Sequence, residues 1–217
     1  MNLSPSIAAK LAIGLTGAAA ISTGSYVAYD RLTKESISEL IKKEDLKLLS
    51  SSDSDTEWLK RWKEYVAKGN NIWRLDNYTG KTTSESDIPQ NFKDTCYSKA
   101  SERTTDNKSD TYQQVKDLCT KSFSISSLIG EEKDIVLINA NQGDAKWNKA
   151  WKNYIANINN NNELGLDDWP TIKESNSLNA PNDYKTKCDS KKQTEVKNTK
   201  DPTYLAVKQW CTEAKSD

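Results

Sequence analysis

The chain has no histidine. That removes histidine general bases, Ser–His–Asp constellations and histidine-ligated metals from consideration. Charge of one sign is not in excess: 31 Lys+Arg stand against 31 Asp+Glu. The basic footprint of a nucleic-acid protein is therefore missing. Apolar residues are scarce, at 35% against roughly 45–50% in ordinary globular chains. Mean hydropathy is −0.83, so any core must be lean. The sequence carries no phosphate loop, nucleophile elbow or dinucleotide fingerprint. Only one methionine and two phenylalanines occur, beside seven tryptophans and nine tyrosines. The 27 lysines, four arginines and 19 asparagines reflect AT-rich codon usage rather than function.

Long apolar runs are also missing, with one exception. Leu11–Tyr29 holds 19 residues without a charge, bounded by Lys10 and Asp30. At about 1.5 Å rise per residue this just reaches across the roughly 30 Å hydrocarbon layer of a bilayer. The run is only mildly apolar, and Tyr26 and Tyr29 fall at one end, where amphipathic rings favour the interface. The expectation is a signal anchor within residues 1–30, spanning the membrane through 11–29. A cleaved signal peptide ending near Ala18-Ala19-Ala20 and a soluble buried helix are the alternatives. Lys10 and the N-terminal amine favour an inside N-terminus, which places residues 30–217 outside the cell.

After this segment the chain repeats itself. Ile37, Ser38, Leu40 and Ile41 return as Ile125, Ser126, Leu128 and Ile129, an offset of 88. Trp58, Trp62, Tyr65 and Val66 return as Trp147, Trp151, Tyr154 and Ile155, an offset of 89. Pro89, Phe92 and Cys96 return as Pro181, Tyr184 and Cys188, and Tyr112, Val115 and Cys119 as Tyr204, Val207 and Cys211, an offset of 92. Two small steps in offset are what loop insertions produce. The chain thus divides into a first module, 31–122, and a second, 123–217.

Each module reads as mainly α. Trp58, Leu59, Trp62, Tyr65 and Val66 occupy one helical face, with Asp55 and Asp144 as expected N-caps. The polar stretches 69–88 and 157–180 read as mobile surface loops. Pro89 and Pro181 open a second helix, turns follow at 106–108 and 198–200, and Ser109 and Asp201 cap a third. Asp134–Ile138 suits a short strand. Four cysteines lie in two pairs, each pair 23 residues apart and straddling a turn. In an antiparallel helical hairpin, positions equidistant from the turn face each other. This predicts disulfides Cys96–Cys119 and Cys188–Cys211, which an extracytoplasmic location would preserve. Free buried thiols are the bland alternative; zinc is disfavoured because neither CxxC nor histidine is present.

Other signals are weak. The tryptophan pairs could stack sugars or bases, but at helical spacing they read as core. Asn77-Tyr78-Thr79 and Asn107-Lys108-Ser109 match glycosylation sequons. The acidic pairs Glu131-Glu132 and Asp167-Asp168 read as solvated surface. No catalytic, cofactor-binding or metal-ligating residue emerges.

The opening Met1-Asn2-Leu3-Ser4, the Ile-Ser-x-Leu-Ile modules, Trp-x3-Trp-x2-Tyr and the closing Leu118-Cys119-Thr120 and Trp210-Cys211-Thr212 resemble the paralogous surface proteins of haemotropic mycoplasmas. The first module departs in carrying Leu118 where tryptophan is usual. The resemblance covers essentially the whole chain. It implies a membrane-associated, surface-exposed protein of a group linked to antigenic variation, with no enzymatic activity to carry over. The leading expectation is a surface binding or antigenic protein that contacts a host cell or host protein. The alternative is an extracytoplasmic enzyme or processing factor with an unrecognised site. A lipoprotein version is weakened by the lack of a lipobox cysteine near the apolar run.

Overall fold

The computed structural model describes residues 34–76, 78, 86–139, 143–157, 161–174 and 177–215. The apolar run Leu11–Tyr29 lies outside these residues. Among the described residues no helix is long and apolar enough to cross a membrane.

The described chain is mainly helical, and its two halves follow one plan. The first runs β1 (Glu35–Ser36), α1 (Ile37–Lys43), α2 (Asp55–Lys68), α3 (Gln90–Ser101), β2 (Arg103–Thr104) and α4 (Asp110–Leu118). The second runs β3 (Phe123–Ser124), α5 (Ile125–Gly130), β4 (Ile135–Leu137), α6 (Asp144–Ala156), α7 (Trp169–Glu174), α8 (Asn182–Lys191), β5 (Glu195–Val196), α9 (Pro202–Trp210) and β6 (Thr212–Ala214). Strands β1 and β2 pair antiparallel, as do β3 and β5. Strand β4 pairs with β6, setting Leu137 opposite Thr212. The first module keeps only a Leu48–Thr120 bridge at that place, but its flanking bonds remain: Leu49 N donates to Cys119 O as Ile138 N donates to Cys211 O.

Caps set the helix starts. Ser36 and Ser124 accept from Glu39 N and Ser127 N to open α1 and α5. Ser109 and Asp201 do the same for α4 and α9. Pro89 and Pro181 take the N-cap positions of α3 and α8, where the missing N–H costs nothing. The expected caps Asp55 and Asp144 are displaced by one residue. Ser54 and Gly143 stand at the N-caps, and the two aspartates begin the helices. There they accept ion pairs from Lys93 (2.9 Å) and Lys185 (2.7 Å) on the neighbouring helices α3 and α8.

The buried residues fall into two clusters, one from Ile37 to Cys119 and one from Ile125 to Cys211. Aromatic rings fill both. Trp62 stacks on Tyr65 at 5.5 Å and meets Phe92 edge-on at 5.2 Å. Trp151 stacks on Tyr154 at 5.8 Å and meets Tyr184 edge-on at 5.2 Å. With so few aliphatic side chains, large rings that bury much area per residue supply the hydrophobic driving force.

The stretches 69–88 and 157–180, expected to be mobile surface, contribute to these cores. Asn71 Oδ1 accepts from Tyr65 Oη (2.7 Å) and Leu75 N (2.8 Å), while its Nδ2 donates to Leu75 O. Asn162 does the same with Tyr154 Oη, Leu166 N and Leu166 O. The asparagine closes a turn, and the turn buries Leu75 or Leu164 and Leu166. Arg74 adopts a left-handed backbone at φ 54°, and its counterpart Gly165 does so at φ 72°, a conformation glycine accepts more cheaply. This turn aligns at an offset of 91. Two residues are therefore inserted before it and one after, which resolves the single larger step seen in the sequence.

Replacing Asn162 with alanine removes the acceptor used by Tyr154 Oη and Leu166 N and the donor to Leu166 O. We expect a loss of about 1–3 kcal/mol, read as a lower urea midpoint with an unchanged m value.

Candidate functional site

Cys96 is bonded to Cys119 and Cys188 to Cys211, with Cα atoms 5.6 Å apart in both pairs. Each bond joins the second long helix of a module to the end of its last helix. All four sulfurs are buried. The tryptophan pairs are core as well: Trp58, Trp62, Trp147 and Trp151 are at most 3% exposed. They offer no stacking platform. Of the sequons, Asn77 lies outside the described residues, and Asn107 donates its Nδ2 to Glu44.

Beside each disulfide stands a polar cluster that the sequence reading missed. Glu44 meets Lys116 Nζ at 2.7 Å, with Tyr112 buried next to it. Burial raises the Glu44 carboxyl, but the hydrogen bonds from Lys116 and Asn107, with the Tyr112 hydroxyl nearby, outweigh it and bring it down to about 2. The Tyr112 hydroxyl nevertheless lacks a partner of good hydrogen-bond geometry, so the lysine carries most of the effect. In the second module Glu132 accepts from Tyr204 Oη at 2.6 Å and pairs with Lys208, which lowers its carboxyl. Glu132 is thus not the unpartnered surface acid its sequence suggested. Both tyrosines are pushed above the ordinary phenol value, by burial first and then by the glutamate. A phenol so raised holds its proton, and the clusters tie the first helix of each module to its last. Their signal was present in the sequence: glutamates at offset 88, tyrosines and lysines at offset 92.

The densest polar site lies where the modules meet. Thr120–Ser122 leads directly into β3, so no linker separates them. The β5 segment of the second module lies against the first. Glu195 accepts from Ser122 Oγ (2.6 Å) and pairs with Lys60. Lys197 Nζ donates to Asp117 O (2.9 Å), Thr120 Oγ1 (3.0 Å) and Lys116 O. Asn198 Nδ2 reaches Glu44 O (2.8 Å), and Lys200 pairs with Asp45 (2.6 Å). Arg61, 5% exposed, supports this floor. Its guanidinium donates to Glu64 (2.8 Å), Asp117 O (3.3 Å) and Ser122 Oγ (3.0 Å), and its buried Nε has no partner. A cleft of about 400 Å³ opens beside Arg61, Glu64, Lys68, Asp117 and Lys197.

Two of these groups are perturbed. Burial, then the nearby Arg61, lowers Lys197 to about 8. Burial raises Glu64, against the pull of Arg61 and Lys197. A lowered amine in a cleft is the pattern of a nucleophilic lysine. The geometry argues otherwise. Three acceptors saturate three N–H bonds, which only the ammonium form supplies. They sit at the C-terminus of α4, where a cation is favoured. Lys197 is a helix cap that locks one module to the other. Among the described residues no cluster of cysteine and carboxylate side chains could hold a metal ion.

No family model, curated protein or solved structure matches this chain.

Two outcomes follow from this geometry. Cys188→Ser should cost about 2–4 kcal/mol and raise amide exchange in the second module more than in the first. Equal loosening of both would show that the bond is not a local staple. For Glu44, the folded-state carboxyl at about 2 lies below its ordinary 4.5. Its stabilising contribution is complete above about pH 4.5 and is lost as pH falls toward 2. Glu44→Gln should therefore flatten this part of the acid-unfolding curve.

Proposed function

We propose that the chain is a membrane-anchored, surface-exposed binding protein, held by residues 11–29 with residues 30–217 outside the cell. It contacts a host cell or host protein or serves as a variable antigen. The observation that carries this is the pair of buried intramodule disulfides. Such bonds persist in oxidising compartments and are rare in the cytosol. Duplication adds to it. Two stapled modules present a solvated surface, while the paired tryptophans Trp58, Trp62, Trp147 and Trp151 are occupied in the cores. The resemblance to the paralogous surface proteins of haemotropic mycoplasmas points the same way.

Protease treatment of intact cells tests the placement. Loss of the 30–217 region is expected without permeabilisation, and non-reducing peptide mapping of the released material should recover the two intramodule links. Full protection until the cells are permeabilised, or four free thiols in the surface fraction, would refute it.

A further inference from the structure

The duplication gives every surface of the first module a counterpart on the second. The face of α2 that carries Lys60 and Arg61 is covered by the Glu195–Lys200 segment. Among the described residues, no such segment covers its counterpart on α6. The offset of 89 carries Lys60 to Lys149, Arg61 to Ala150 and Glu64 to Asn153, and the offset of 92 carries Thr120 to Thr212. The exchange of a buried arginine for Ala150 leaves a cleft of about 310 Å³ bordered by Ile138, Lys146, Lys149, Ala150, Thr212 and Glu213.

The seats used at the covered face persist at the open one. Lys149 stands where Lys60 receives the Glu195 carboxylate. It is exposed, and among the described residues it has no ion-pair partner. Lys146 replaces Glu57 and is held at 2.6 Å by Glu213, which itself replaces Lys121, so the local net charge is kept while Lys149 is left without a carboxylate of its own. At the end of α9, Thr212 Oγ1 donates to Lys208 O (2.7 Å), as Thr120 Oγ1 donates to Lys116 O (2.6 Å) at the end of α4. Those helix-end carbonyls are where Lys197 seats its ammonium in the covered face.

We propose that the open α6–β6 face is a docking site for an extended protein segment of another molecule. That segment bears a carboxylate and, two residues later, a lysine, seated as Glu195 and Lys197 are seated on the first module. The carboxylate pairs with Lys149, and the lysine caps α9 at Lys208 O, Gln209 O and Thr212 Oγ1. A second copy of this chain does not supply such a segment through its own first ribbon. The residue aligned with Glu195 there is Arg103, which would face Lys149. Lys108, aligned with Lys200, would face Lys133, aligned with Asp45. Like charges at both ends oppose that docking. The inference deepens the binding role proposed above. It rests on that role only in requiring a partner, not on cell-surface placement.

The test uses the full chain, isotope-labelled for NMR, and a synthetic peptide with the sequence of residues 192–200. Shift changes are expected on Lys149, Ala150 and Thr212. A peptide carrying glutamine in place of its glutamate should bind roughly tenfold more weakly, the loss of one charge-assisted contact. Lys149→Glu, at an exposed helix position, should abolish the shifts while leaving the circular dichroism unchanged. A peptide with lysine in place of the glutamate should restore them. No shifts at millimolar peptide, shifts confined to Lys60 and Thr120, or equal binding by the glutamine peptide would overturn the proposal. So would sedimentation showing self-association abolished by Lys149→Glu, which would make the occupant a second copy. None of these outcomes depends on whether intact cells expose the protein.

Discussion

The constraint on which the rest of the structure depends is the covalent tie between the second long helix and the end of the last helix in each module. Each module has fewer than a hundred residues and an apolar content well below the usual level. A chain of this kind buries too little surface to offset its conformational entropy comfortably. Closing a loop of 23 residues removes roughly 3 kcal/mol of unfolded-state freedom in the chain-entropy view. The tie also fixes the height at which α3 meets α4 and α8 meets α9. That register lets Phe92 and Tyr184 meet the tryptophan rings of α2 and α6. It also places the helix-end carbonyls that Lys197 caps.

Polar side chains carry an unusual share of the remaining specificity. Tyr65 and Tyr154 are buried rings whose hydroxyls end on Asn71 and Asn162. Each asparagine in turn supplies the hydrogen bonds of its loop. A hydroxyl buried without such a partner would cost a kcal/mol or more. The loops are therefore shaped from inside by the core aromatics. The Glu–Tyr–Lys clusters apply the same logic to α1 and α5, short helices that could not persist alone.

Much of this was legible in the sequence where a period or a spacing carried it. The face Trp58, Trp62, Tyr65, Val66 has the 3.6-residue repeat, and the cysteines straddle their turns evenly, so α2, α6 and the hairpins could be anticipated. The asparagine-centred turns could not, because a polar stretch has no period and its order comes from a tyrosine several residues away. Glu132 looked like a surface acid because its partner Tyr204 lies 72 residues on. Only the joint use of the 88 and 92 offsets links them. Arg61 and Lys197 were invisible for a different reason. Their role exists only after one module docks on the other, and no feature within either repeat encodes it alone.

That docking is also where the duplication is least symmetric. In the cores the two modules keep the cysteines, the paired tryptophans and most of the aromatic positions, since both must solve the same folding problem. At the junction they differ: arginine against alanine at 61 and 150, arginine against glutamate at 103 and 195, serine against alanine at 122 and 214. A head-to-tail contact between identical modules would leave a free face at each end, and free faces of complementary shape propagate into open-ended assemblies. Changing the charge of the ribbon in one module and the volume of the floor in the other works against repeating the internal contact between copies. The same changes leave the second module with an alanine-floored version, at the same net charge, of the face on which the first module receives the Glu195–Lys200 segment. Arg103 would meet Lys149, and Lys108 would meet Lys133, if one copy docked its first ribbon on the second module of another, so the divergence sets like charges against stacking of the chain on itself.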